Sequence, residues 1–159
     1  VLAATQGKHV DVVRLLVARG ANVNAQDAQQ DSAFLLASAS GYTDIVQITL
    51  AAGADLASTN RYGGTALIPA CHYGHVDTVR LLLTTRIAVD HINNLGWTAL
   101  LEAVILGDGG LAHAEIVRML IAAKADVNLA DAQGVTPLQH ALARKQVHVA
   151  ELLRAAGGR

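Results

Sequence analysis

Three sets of residues have the types that chemistry uses. Cys71 and His72 put a thiol beside an imidazole, the pairing of a nucleophile with its base. His72 and His75 are three residues apart and would share a helix face, where they could hold a common ligand. Glu102, Asp108 and His113 would serve proton transfer if the chain gathered them in one groove, and the glycines of "DGG" at Asp108–Gly110 suggest a phosphate cradle. None of these spacings demands the chemistry. Adjacent helical residues point about 100° apart, so Cys71 and His72 do not face each other. No strand pattern precedes "DGG", and no Walker-type or dinucleotide-binding glycine motif is present. The remaining histidines are scattered, without a Cys or carboxylate cluster at metal spacing. The expectation is therefore no catalysis, no cofactor and no metal. Cys71 reads as a small buried hydrophobe. Glu102 is expected to meet free N–H groups near a helix start, or a neighbouring unit.

The elements that carry these residues follow from composition and period. The chain has 159 residues, enough for one domain, and is 52% hydrophobic but only 3% aromatic. Its core must be built of Ala, Val, Leu and Ile, which suits closely packed helices. The net charge is −1 and no long run of one sign occurs, which argues against a nucleic-acid or anionic-membrane footprint. No apolar run approaches the roughly 18 residues of a membrane span. A single Cys excludes an internal disulfide and a four-Cys zinc site.

Ala37, Ala70 and Ala103 recur every 33 residues, and Ala141 follows after 38. In the same phase run "DVVRLLV" from Asp11, "DIVQITL" from Asp44, "DTVRLLL" from Asp77, "EIVRMLI" from Glu115 and a degenerate "HVAELLR" from His148. The period defines units at residues 1–26 (incomplete), 27–59, 60–92, 93–130 with a five-residue insertion, and 131–159. Ser32, Thr65, Thr98 and Thr136 precede apolar runs as helix N-caps, and Thr136 with Gln139 makes a capping box. A first helix, a turn at Gly41 or Gly74, and a second helix follow. Gly20 and Gly53 are placed to end the second helix in a left-handed conformation. Asp11–Arg14, Asp77–Arg80 and Glu115–Arg118 are spaced as i,i+3 pairs on a solvated face. Clustered Asn, Asp and Gly predict a tight turn or hairpin between units. Pro69 should distort the start of its helix without breaking it. The insertion predicts a longer inter-helix loop, or an extra turn of the first helix ended by Gly-Gly. Unit one starts inside a helix, so a further N-terminal segment or an upstream cap is expected. The polar residues of the last unit suit a C-terminal capping repeat.

"NRYGGTALIPACHYGHVDTVRLLL" from Asn60 and "DAQGVTPLQHALA" from Asp131 resemble the ankyrin repeat, most of all its bacterial members. The resemblance extends over the whole chain. It implies an all-α solenoid of helix–turn–helix units joined by β-hairpin-like loops. There are departures. Ala33, Ala66 and Ala99 replace the family's proline after the cap, and Leu35, Ile68, Leu101 and Gln139 replace its histidine. Apolar contact is therefore expected to substitute for that histidine's bonding between repeats. Arg86 and Ile87 replace Gly-Ala, so the end of unit three should be tighter or strained.

The resemblance implies a non-catalytic scaffold or regulator, expected to be a monomer, that binds another protein through its concave face and hairpin tips. The variable positions of that surface concentrate anchor-type residues in units three and four: Arg61, Tyr62, His72, Tyr73, Asn94, Leu95, Trp97, Ile105 and Leu106. Trp97 serves equally as a lateral packing residue between hairpins. The alternative reading is a small-molecule or metal-responsive regulator that uses the insertion of unit four. Bacterial cytoplasm and periplasm both remain open.

Overall fold

The computed structural model describes residues 1–159. It contains ten α-helices and no strand: α1 Leu2–Gln6, α2 Val10–Ala18, α3 Ala33–Ser40, α4 Thr43–Ala51, α5 Leu67–His72, α6 Val76–Leu82, α7 Ala99–Ile105, α8 Leu111–Ala122, α9 Pro137–Ala143 and α10 Val147–Ala155. They pair in sequence as five helix–turn–helix units. The first helices α1, α3, α5, α7 and α9 stack on one another in order, and α2, α4, α6, α8 and α10 form a second stack behind them. Small side chains allow this close approach. Ala33, Ala66 and Ala99, which follow the cap positions, are buried at the helix starts with Ala37, Ala70, Ala103 and Ala141. Larger side chains fill the space between the stacks in one continuous core, including Phe34, Ile45, Leu67, Leu82, Leu100, Ile116, Leu120 and Leu153.

Capping follows the sequence at three of four positions. Ser32 Oγ accepts from Leu35 N at 3.2 Å and Thr98 Oγ1 from Leu101 N at 3.2 Å. Thr136 and Gln139 form the full capping box. Thr65 departs from this pattern. Ile68 N, which its hydroxyl was expected to cap, donates instead to the Thr65 carbonyl at 3.2 Å, and the Thr65 hydroxyl is buried without a partner. Pro69 next in line has no N–H to offer, so the helix starts with a tight i→i+3 turn and α5 begins one residue late.

Each connection between units is closed by one side chain. Asp27, Asn60, Asn93 and Asp131 stand at the first position of units two to five, and each Oδ1 accepts two backbone N–H groups across its own turn. Two backbone bonds complete each tip, as from Asn60 N to the Gly64 carbonyl at 3.0 Å and from Gly63 N to the Asn60 carbonyl at 2.9 Å. The tips are thus hairpin-like turns without a β ladder.

Polar stitches between units come from the connections, as from Asn24 Nδ2 to the Gly53 carbonyl at 3.0 Å, and from the inter-helix turns, which corrects the expectation that apolar contact alone would replace the absent histidines. His75 Nε2 donates to the Ala39 carbonyl at 3.0 Å, His113 Nε2 to the His72 carbonyl at 2.8 Å, and Gln146 Nε2 to the Val104 carbonyl at 3.0 Å. The insertion is divided: the inter-helix loop lengthens, as expected, and the rest lengthens the second helix rather than the first. α7 keeps seven residues, while α8 grows to twelve where α4 and α10 have nine. The extra turn therefore belongs to the second helix, behind a loop at Leu106–Gly110. His113 sits in that extra turn, which is how it reaches the preceding unit despite five added residues. Asp77–Arg80 at 3.7 Å and Glu115–Arg118 form their ion pairs, and Arg80 also reaches Glu115 at 3.9 Å. Asp11 and Arg14 do not pair. At the end of unit three, Thr84 N and Thr85 N make i→i−3 bonds to Leu81 and Leu82, the tighter ending that Arg86-Ile87 predicted.

Candidate partner-binding groove

The tips of units two to four and the exposed faces of α3, α5 and α7 enclose a groove of about 310 Å³. Periodicity explains who lines it. The tips contribute Asp31, Arg61, Tyr62 and Leu95, and the ends of the first helices contribute His72, Tyr73 and Leu106. Tyr62 and Tyr73, 53% and 59% exposed, present their rings at the mouth. Tyr73 stacks on His72 with centroids 4.1 Å apart and planes 11° from parallel. Arg61 is held beside them: its guanidinium lies 4.9 Å over the Tyr62 ring and Nη1 donates to Gln29 Oε1 at 2.9 Å.

Glu102, from the middle of α7, also lines the groove and is only 6% exposed. Its Oε1 accepts from Asn93 Nδ2 at 2.8 Å, and Oε2 lies 3.6 Å from His72 Nδ1. Burial pushes the Glu102 carboxyl above the ordinary range, against the pull of the Asn93 bond. Burial and the nearby His113 push the His72 imidazole down. At 3.6 Å the two groups are too far apart for a hydrogen bond, and both shifts weaken their approach as an ion pair. Asp31 is likewise raised, by burial first and Asp27 second, with Arg61 opposing. Glu102 does meet a neighbouring unit, through His72, but it meets no free helix-start N–H; its hydrogen bond goes to the side chain of Asn93 in its own tip.

Of the nine residues expected on the binding surface, Arg61, Tyr62, His72, Tyr73, Leu95 and Leu106 line this groove. Asn94, Trp97 and Ile105 do not. Asn94 N donates to the Tyr62 carbonyl at 2.9 Å, tying tip four to tip three. Trp97 is half-buried, and its backbone closes the tip on Asn93. The Ile105 carbonyl accepts from Arg144 Nε at 3.1 Å. Asn93 and Glu102 also line the groove, beyond the nine residues expected from the repeat pattern. A carboxylate at a normally apolar inner-helix position was the available signal.

The sets with chemical potential are dispersed. Cys71 is fully buried, and burial drives its thiol far above the ordinary range, the opposite of an activated nucleophile. His75 is directed at the Ala39 carbonyl rather than at a site shared with His72. Asp108 and His113 bond each other at 3.0 Å in the inter-helix turn, while Glu102 faces the groove. No group of three or more His, Cys, Asp or Glu is arranged to hold a metal ion, and no helix is long and apolar enough to cross a membrane.

The comparisons agree in one direction. The family model for ankyrin repeats (3 copies) matches residues 34–131 and 88–158, and that for ankyrin repeats (many copies) matches residues 1–48. The chain is 52% identical to an ankyrin repeat domain from Acinetobacter baumannii AYE, with TM-score 0.96, covering 98% of this chain and 80% of that one. It is 37% identical to the ankyrin repeat protein EF0377, with TM-score 0.92, covering 95% and 77%. Putative ankyrin repeat protein YahD of Escherichia coli K12 is 43% identical over 56 residues, which span 35% of this chain and 28% of YahD.

Proposed function

Because the chain belongs to the ankyrin-repeat family, whose repeats are in general protein-interaction modules, we propose that it is a non-catalytic scaffold or regulator. It captures a protein partner in the groove of units two to four. The observation that carries this reading is the pair of half-exposed tyrosines, Tyr62 and Tyr73, at the mouth of a groove in a chain with only one Trp, three Tyr and one Phe. Aromatic side chains lose little rotamer entropy and cover much area, which makes them frequent anchors of interfaces. The reading of the insertion as a regulatory ligand site has no comparable support. Asp108 and His113 are spent on each other and on the His72 carbonyl.

The test starts from affinity capture with the wild-type chain in its source organism, followed by titration of the purified partner. Replacing Tyr62 and Tyr73 together by Ala should weaken that partner by at least about tenfold, on the scale of a hot spot, with helical content unchanged by circular dichroism. Leu15→Ala, on the exposed side of α2, serves as the distant control and should have no effect. Equal binding by the double variant, or equal loss with the control, rejects the groove as the interface.

A further inference from the structure

We propose that the groove receives a basic side chain of the protein partner, an arginine or lysine, whose aliphatic stem lies against Tyr62, Tyr73 and Leu95 and whose charged head meets the Glu102 carboxylate. This rests on the interaction reading above and adds the chemistry of the anchor.

Glu102 is a nine-tenths-buried carboxylate that opens onto the groove, and only one of its oxygens is satisfied. Oε1 takes the Asn93 amide at 2.8 Å; Oε2 has no hydrogen bond, since His72 Nδ1 at 3.6 Å is too far to donate one. Oε2 opens onto the groove, and a partner cation seated there would give it a charge-assisted hydrogen bond in a largely buried setting. The groove's own charges do not supply one. Asp31 and Glu102 stand against Arg61, whose guanidinium is engaged by Gln29 and the Tyr62 ring. His72 is biased toward its neutral form by burial and His113. Tyr62 already has Arg61 over its ring and Tyr73 is stacked on His72, so the tyrosines and the apolar parts of the wall take the long aliphatic stem rather than the charge. At about 310 Å³ the groove is at the small end of ligand sites, suited to one long side chain. An acidic side chain would meet two carboxylates and is excluded by the same charges.

The experiment titrates the full chain, labelled with ¹⁵N, with three capped amino acids: N-acetyl-arginine methylamide, N-acetyl-lysine methylamide and N-acetyl-norleucine methylamide. The cationic probes should give saturable shifts of the Asn93 side-chain amide and the Tyr62 and Leu95 backbone amides. Norleucine, which keeps the stem and lacks the charge, should bind at least tenfold more weakly. Which of arginine and lysine binds more tightly identifies the anchor. Glu102→Gln, which preserves size and the bond from Asn93, should cost at least tenfold for the cations and nothing for norleucine; Asp31→Asn should give a smaller loss of the same kind. Equal response to norleucine, full cation binding in Glu102→Gln, or no saturable response to either cation overturns the proposal. Partner titration separates the two levels. Loss with the tyrosine pair but not with Glu102→Gln leaves the interaction surface standing and removes the cationic anchor. No loss with either removes both.

Discussion

Glu102 stands where units two and three carry Leu36 and Pro69, and this single exchange shapes both the stability and the character of the groove. Its carboxyl is raised by burial, so the folded chain holds that proton more tightly than the unfolded one. The sign follows from linkage. Below the ordinary carboxylate range, about pH 4, the group is protonated in both states and costs nothing; above its raised value the folded state carries the full cost of a buried charge. Glu102→Gln should therefore raise the thermal midpoint near neutral pH, with the gain shrinking to nothing as the pH is lowered through that window. A gain independent of pH would mean that the charge is not its source. Thr65 gives a second residue-level outcome. Its hydroxyl is buried without a partner, so Thr65→Val should stabilise by about 1 kcal/mol in urea denaturation. Thr98→Val removes a working cap and should destabilise by about 1 kcal/mol. Equal effects at the two positions would contradict the different starts of α5 and α7.

At the scale of elements, the five inserted residues are absorbed by a loop and an added turn of α8, and two glycines show how tightly that loop is held. A Cβ on Gly107 would lie 2.1 Å from the Ala103 carbonyl oxygen, a backbone atom of α7 that cannot yield without unwinding the helix. A Cβ on Gly110 would meet only the exposed Asp108 carboxylate, at 3.0 Å. Gly107→Ala should therefore cost about 2 kcal/mol or more, and Gly110→Ala under about 0.5 kcal/mol, by chemical denaturation. Comparable costs would show that the loop relaxes freely. The Gly110 N–H and His113 also hold the Asp108 carboxyl below its ordinary range. That contribution is present above the ordinary carboxylate pKa and is lost as pH falls through the depressed value.

Across the whole molecule, stability is a sum over units and the contacts between neighbours, and it is unevenly supplied. α7 buries six residues between adjacent units, whereas α1 and α2 together bury only Thr5 and Val13. Amides of α2 should exchange with deuterium at least about tenfold faster than those of α7, reflecting separate local openings. Identical protection would make the stack one cooperative block.

Much of this architecture is legible along the chain because its causes are local. A cap reaches three residues ahead, a tip Asp or Asn binds N–H groups two and four residues on, and such short-range devices recur every 33 residues as printed letters. That is enough to predict an all-α stack of helix–turn–helix units, and six of the nine residues expected on its surface line the groove. Thr65 escaped because its failure depends on a competing backbone bond beside a proline. The extra turn of α8 escaped because its purpose is distant: it brings His113 to a carbonyl 41 residues earlier. The groove itself belongs to tertiary structure. Stacking sets Tyr62 beside Leu95 and His72 beside Glu102, residues from different units, and it buries Glu102 with one oxygen unbonded. The repeat in the sequence determined what each unit is; only packing one unit on the next decided which side chains lost their water, and with it the charge and the opening offered to a partner.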